Sequence, residues 1–306
     1  MKVIDIHTHG IGGYDTRSSI EEHILSIADI HGSLGVSEII LTIYPATIKV
    51  MRQNMETVRK AMEKQKARGV ERRATVIRRY ESQQEEETVV ESARITGVHL
   101  EGPFLNFSRC GALNAMVFLE PAEYHLQELL EGFGDMVKIM TIAPEMNGAA
   151  KIIRKIADRG IIPSMGHSEA TYNEAEKGFN AGARGITHIF NAMRPFHHRE
   201  PGIIGFGLLN PEVYIEVIAD AHHLHSATID LIFKTKNPSR IIIVSDSVKA
   251  SKTALYSQGV VDSIGRLMGG VMSVPEAASR LVAMGLDNDL VMKCITENPE
   301  KYLAGG

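Results

Sequence analysis

Short apolar runs alternate with longer amphipathic stretches along the whole 306-residue chain. Eight of these runs read as strands: residues 3–7, 38–44, 95–100, 136–142, 161–165, 184–187, 214–219 and 240–244. They are rich in Val and Ile and nearly continuous in apolar character, the pattern of parallel strands buried on both faces. Between them the apolar residues recur at helical spacing. Residues 19–34 place Ile20, Ile24, Ile27 and Ile30 or His31 on one stripe, with Ser18 or Ser19 as the cap. Further helices are expected at 49–68, 149–159, 169–181 (capped by Ser168), 226–234, 275–284 and 288–297, with 114–131 a loop running into a helix. Eight strand–helix alternations favour a closed (β/α)8 TIM-type barrel over an open doubly wound sheet. No G-x-G-x-x-G turn is present to suggest a dinucleotide fold. Without a repeat or a low-complexity linker, residues 1–306 read as one domain.

What breaks the apolar pattern is a polar residue at the end of one strand after another. His7 and His9 in Asp5-Ile6-His7-Thr8-His9-Gly10 are two apart, so on a strand both imidazoles face one way. Glu101, His167, His188 and Asp246 each follow an apolar run, and His223 stands just beyond another. In a barrel, strand C-termini converge on one mouth. A Glu and two His from three strands form a set of three protein ligands that leaves a position open, the pattern of a catalytic metal site. His7 and His9 could hold a second metal that shares Glu101. A carboxylate such as Asp246 beside a metal can take a proton from water and return it to a leaving group. Any one of these histidines alone is as readily a satisfied core residue; the set at successive strand ends is not. His99 is expected in the core, and His31 and His125 on helix surfaces. The polar loop from Asn191 to Gly202 offers Arg199 for bidentate contact with a phosphate or carboxylate.

Composition narrows the setting. A net charge of −4 gives no electrostatic case for nucleic-acid binding. Two distant cysteines, Cys110 and Cys294, fit a reducing compartment. No apolar run is long enough to span a membrane, and Met-Lys-Val-Ile-Asp runs straight into the first strand, leaving no room for a signal peptide. A cytoplasmic protein is expected. Arg68, Arg72, Arg73, Arg78 and Arg79 precede Glu85, Glu86 and Glu87, read as a self-neutralising connection or, less simply, a partner surface.

Four segments carry a resemblance. GVHLEGPFLN (97–106), GHSEATY (166–172), THIFNAM (187–193) and HHREPG (197–202), in this order, resemble the N-acetylglucosamine-6-phosphate deacetylase family of the amidohydrolase superfamily. The resemblance runs from Asp5 to about Pro299, apart from 68–94. It implies that Glu101, His167 and His188 bind the principal metal, and that His7 and His9 serve a second one where the family keeps it. It implies Asp246 as general acid/base and His223 beside the substrate carbonyl. Asn191, the backbone of Ala192, and Arg199 reaching from a neighbouring subunit would hold the sugar phosphate. Against the resemblance, the chain is expected to lack the family's small β-sandwich. It also has Leu113 in Gly111-Ala112-Leu113-Asn114 where the family has a substrate-contacting His, Ser245-Asp246-Ser247 for Thr-Asp-Ala, and Asp220-Ala221 for Asp-Gly.

The expectation is therefore a metal-dependent amide hydrolase acting on N-acetylglucosamine 6-phosphate or a related N-acyl amino-sugar phosphate. It would use one or two divalent ions per chain (zinc ahead of iron or manganese) and form a homodimer. The alternatives are a barrel metallohydrolase of cyclic amides or phosphoesters, and a non-catalytic sugar-phosphate binder, against which an intact Asp246 argues.

Overall fold

The computed structural model describes residues 2–67, 73–74, 89–253 and 259–305. The charged run from Arg68 to Glu87 lies outside the described side chains. Eight parallel strands form one sheet in chain order: β1 (Ile4–Thr8), β2 (Glu38–Ile43), β3 (Arg94–Glu101), β4 (Val137–Ile142), β5 (Ile162–Met165), β6 (Gly185–Ile186), β7 (Tyr214–Ile218) and β8 (Ile241–Val244). Beyond β8 the sheet returns to β1. Asp246 N–H donates to the His7 carbonyl at 2.9 Å, His9 N–H donates to the Ser247 carbonyl at 2.8 Å, and Thr8 bridges Ser247 in parallel. The expected barrel is the one observed.

Continuous apolar strands are needed because each strand has two buried faces. On β8, Ile241 and Ile243 join the large core under the helices, while Ile242 and Val244 join a smaller cluster with Ile40, Ile139, Tyr214 and Tyr302. The helices are α1 (Glu21–Ser33), α2 (Ile48–Ala67), α3 (Glu123–Leu130), α4 (Ala149–Ala157), α5 (Tyr172–Asn180), α6 (Gly202–Leu209), α7 (Ser226–Thr235), α8 (Val274–Ala283), α9 (Asn288–Ile295) and α10 (Glu297–Leu303). None of the described helices is long and apolar enough to cross a membrane.

Two local expectations need correction, and one helix lies where none was assigned. Helix α5 starts later than residue 169, because Thr171 and Glu174 form a capping box; Ser168 instead donates to Glu145 at 2.7 Å. Residues 202–209, beyond the end of the expected polar loop at Gly202, form helix α6: they are apolar on every side and nearly all buried, so no amphipathic period marks them. His31 is fully buried rather than on a surface. It occupies the inner stripe of α1 with Ile24 and Ile27, and its Nε2 lies 3.0 Å from the Thr8 hydroxyl. The stripe excludes Ile20, which is 48% exposed.

Candidate metal and substrate site

The strand ends deliver their side chains to one point. Glu101 ends β3, and its Oε1 lies 3.1 Å from both His167 Nε2 and His188 Nε2, which are 3.2 Å from each other. Its Oε2 lies 3.2 Å from His9 Nε2, and its Oε1 lies 3.6 Å from His7 Nε2. Asp246 Oδ1 stands 3.4 Å from His7 Nε2 and 3.7 Å from His9 Nε2. The carboxylate of Glu101 therefore joins two groups of metal-capable ligands, Glu101/His167/His188 and His7/His9/Asp246.

Backbone conformation aims these groups. His167, His188 and Asp246 have φ of 46°, 32° and 46°, in the left-handed region that costs non-glycine residues energy. Each residue turns there as its strand ends, which swings the side chain over the barrel mouth. The β1 register shifts between Asp5 and Thr8, so simple alternation does not explain why His7 and His9 both arrive. The His9 ring is held against Tyr44, stacked at 3.8 Å.

The electrostatics suit a cation. Burial lowers His7 well below the usual imidazole range, which leaves it neutral with a lone pair to give. Its Nδ1 lies 2.9 Å from Glu216 Oε2, and its Nε2 is buried without a hydrogen-bond partner. A buried polar atom with no partner is costly, and this one points at two carboxylates. Burial pushes Glu101 up, but His167, His188 and His9 outweigh it and hold the carboxyl well below the usual range. Burial, then Glu101 and Glu216, pushes Asp246 well up. A divalent ion set among these groups reverses that repulsion. The donor set fits a metal of the kind that imidazole and carboxylate bind.

Sequence reading missed Glu216. It is a carboxylate in the middle of an apolar strand, Tyr214-Ile215-Glu216-Val217-Ile218, where a charge has no bland explanation. Burial raises it to about 7. A carboxylate on the far nitrogen of a metal-facing histidine fixes its tautomer. His99 is the core residue expected, with Nε2 2.7 Å from Thr141 Oγ1 and its ring 4.7 Å from that of His7. His125 is partly exposed, its Nδ1 3.2 Å from the Glu120 carbonyl.

Above the cluster lies a cavity of about 230 Å³ lined by, among others, Leu113, Asn191, Ala192, His223 and Arg266. Asp220 Oδ2 lies 3.0 Å from His223 Nδ1, and Asp220 Oδ1 accepts the His223 N–H at 3.0 Å. Burial raises the Asp220 carboxyl, but His223 outweighs it and holds the group low. His223 is thus clamped by one nitrogen, leaving Nε2 for a ligand. Leu113 presents an apolar wall. Arg199 does not line this cavity: it is exposed, its Nη1 3.3 Å from His198 Nε2. Glu200, its sequence neighbour, accepts instead from Tyr172 N–H and Gly202 N–H.

No family model matches the chain. N-acetylglucosamine-6-phosphate deacetylase of Bacillus subtilis is 32% identical over 292 residues, covering 91% of this chain and 68% of that protein. The chain belongs to the N-acetylglucosamine-6-phosphate deacetylase family. The enzyme of the same name from Vibrio furnissii is 30% identical over 249 residues, 81% of this chain and 56% of its own. This member thus spans between 56% and 68% of the length of those two relatives. A structure of a Mycobacterium smegmatis deacetylase mutant in complex with N-acetyl-D-glucosamine-6-phosphate superposes with a TM-score of 0.83 at 25% identity. That match covers 99% of this chain and 77% of that one.

Proposed function

We propose that this chain hydrolyses the acetamide of N-acetylglucosamine 6-phosphate, or of a closely related N-acyl amino-sugar phosphate, to the free amine and a carboxylate. The observation that supports this most is Glu101, whose two oxygens face His167 and His188 on one side and His9 on the other, with Asp246 within reach of both His7 and His9. A metal held by Glu101, His167 and His188, with a second place at His7 and His9, supplies Lewis acidity to the acyl carbonyl and to water when bound. The nitrogen-rich donor set favours zinc. Asp246 accepts the proton of the attacking water and passes it to the departing amine nitrogen, so one carboxylate serves both halves of the reaction. His223, with Nδ1 held by the Asp220 carboxylate, donates from Nε2 to the carbonyl oxygen when its ring carries both protons, as negative charge develops there. Asn191 and the backbone of Ala192 line the same cavity and are suited to the sugar-phosphate end. Arg199, exposed and outside the lining of its own chain's cavity, serves the phosphate of a second copy in a homodimer, and the protein acts in the cytoplasm.

The test is elemental analysis of protein purified without chelator, followed by acetate release from N-acetylglucosamine 6-phosphate before and after chelation. Between one and two divalent ions per chain and chelator-sensitive acetate release are expected. Full activity without metal, or no acetate from any N-acetyl amino-sugar phosphate, overturns the reading.

A further inference from the structure

In this cavity a divalent ion would offset the carboxylates of the strand-end cluster, and a sugar phosphate still needs a charged donor of its own. Glu101 and Asp246 line the cavity, and the imidazoles of His9, His167 and His188 already face Glu101. A phosphate monoester brings roughly −1.5 to −2 more charge at neutral pH. Arg109 and Arg194 both pair with Glu169 and do not line the cavity. Among the described residues, the one Lys or Arg that lines the cavity is Arg266.

Arg266 sits at the turn of a short hairpin, Val260–Val261 with Leu267–Gly269. The base of that hairpin is seated tightly against the catalytic strand end. Gly270 N–H donates to the Asp246 carbonyl at 2.7 Å, and a Cβ on Gly270 would lie 2.0 Å from the Ser245 carbonyl oxygen. The turn is closed by Asp262, whose Oδ1 accepts the N–H groups of Ile264 and Arg266 at 3.0 and 2.9 Å. The guanidinium is then tied from two sides. Nε donates to Asp262 Oδ2 at 2.7 Å, and Nη1 donates to the Gly111 carbonyl at 2.9 Å, on the loop that carries Leu113. A guanidinium has five N–H donors, and these two bonds use one from each nitrogen. Nη2 and the second Nη1 hydrogen remain as charged donors for an anion's oxygens. Ordering a long side chain normally opposes binding; here it is already ordered.

We propose that Arg266 is the substrate-reading cation that this chain supplies to its own cavity, binding the phosphate of the amino sugar where the strand-end cluster performs the hydrolysis. It supplies a charged donor on the wall where Leu113 offers none. The proposal rests on the deacetylase reading for the identity of the ligand, and its test is separable from turnover. Binding of glucosamine 6-phosphate and of glucosamine to the metal-loaded protein is measured by calorimetry for wild type, Arg266→Met and Arg266→Lys. The wild type is expected to bind the phosphorylated sugar at least about tenfold more tightly. Arg266→Met should weaken that sugar by about tenfold to a hundredfold, the range of a charge-assisted contact, and should weaken glucosamine far less. Arg266→Lys should recover part of the loss, since it keeps the charge without the fork. Equal weakening of both sugars would make Arg266 only a tether for the Gly111 loop. Unchanged binding, or a wild type that does not prefer the phosphorylated sugar, also overturns the proposal. Arg266-dependent phosphate preference without acetate release would instead sink the deacetylase reading and leave the anion site standing.

Discussion

The floor of the cavity and its wall are built differently. The floor is made of strand ends. Glu101, His167, His188 and Asp246 stand where β3, β5, β6 and β8 stop, and each is fixed by a ladder of parallel strands beneath it. The wall is made of loops and a hairpin: Gly111–Leu113, Asn191 and Ala192, and Arg266–Gly269. The floor keeps the residues that its family resemblance implies. The wall carries Leu113 where a His is expected. Chemistry needs sub-ångström convergence and sits on the rigid element; substrate preference needs only a surface and sits where sequence can drift at little cost to the fold.

The comparison breaks first if the floor can be altered cheaply. Glu101→Gln keeps the side chain's shape but turns one ligand oxygen into an amide donor facing imidazole nitrogens. Glu101 is a member of one ligand group and faces His9 of the other, so metal affinity should fall beyond about 100-fold, more than for an outer-shell change. Dialysis against a metal buffer with elemental analysis checks it; stoichiometric metal at unchanged affinity would dissolve the shared cluster. Asp246→Asn is the cleaner cut. Metal at Glu101, His167 and His188, a group that does not include Asp246, should remain bound, while turnover falls by about 10²–10⁴-fold, the scale of a general acid/base. Near-normal turnover would move the proton transfer to another group.

The same division explains what is legible in the sequence. A polar residue closing an apolar strand is a visible break in the pattern, so the floor ligands stand out from residue order alone. Glu216 gives the same kind of signal from inside a strand, where attention to strand ends does not reach. His31 lies on the stripe of Ile24 and Ile27, yet its polarity suggests a surface; Thr8 and Ser247 meet its Nε2 in the interior, while its Nδ1 is buried without a hydrogen-bond partner. Arg266 leaves no mark, since its importance comes from a turn and from Gly111, 155 residues away. Helix α6 is hidden by uniform apolarity. Patterns report burial well and long-range loop contacts hardly at all.

His31 sharpens the comparison from beneath the floor. It joins α1 to Thr8 and Ser247, where β1 meets the segment after β8. Burial lowers its pKa from 6.5 to about 4. The folded state therefore resists a proton that the unfolded chain takes up below about 6.5. Unfolding becomes easier as pH falls from 6.5 toward 4, and there is no such effect above 6.5. At pH 5 the loss relative to pH 7 should be about 2 kcal/mol from this residue. Denaturant unfolding of wild type and His31→Gln at both pH values measures it, with Gln keeping a hydrogen-bonding group. The variant should show a smaller drop between pH 7 and pH 5; an equal drop in both proteins would acquit His31.

The smallest effect expected is at the wall, and it bears on what the substrate is. Leu113 lines the cavity and can neither donate nor accept a hydrogen bond. A sugar hydroxyl or acyl oxygen facing it would be desolvated without a partner, which costs roughly 1–3 kcal/mol. Either the substrate presents an apolar group there, or the neighbouring Arg266 meets the polar one. Comparing N-acetylglucosamine 6-phosphate with its galactose and mannose epimers and with longer N-acyl chains decides between them. A changed substrate predicts that wild type prefers one of these alternatives, and that Leu113→His shifts kcat/KM toward N-acetylglucosamine 6-phosphate by about tenfold, worth about 1.4 kcal/mol. Metal content should be untouched, because Leu113 is not among the ligand groups. If the wild type already handles N-acetylglucosamine 6-phosphate best, the changed-substrate idea fails and the burden passes to Arg266. If Leu113→His lowers metal content, the floor and the wall are coupled, and the division between them is wrong.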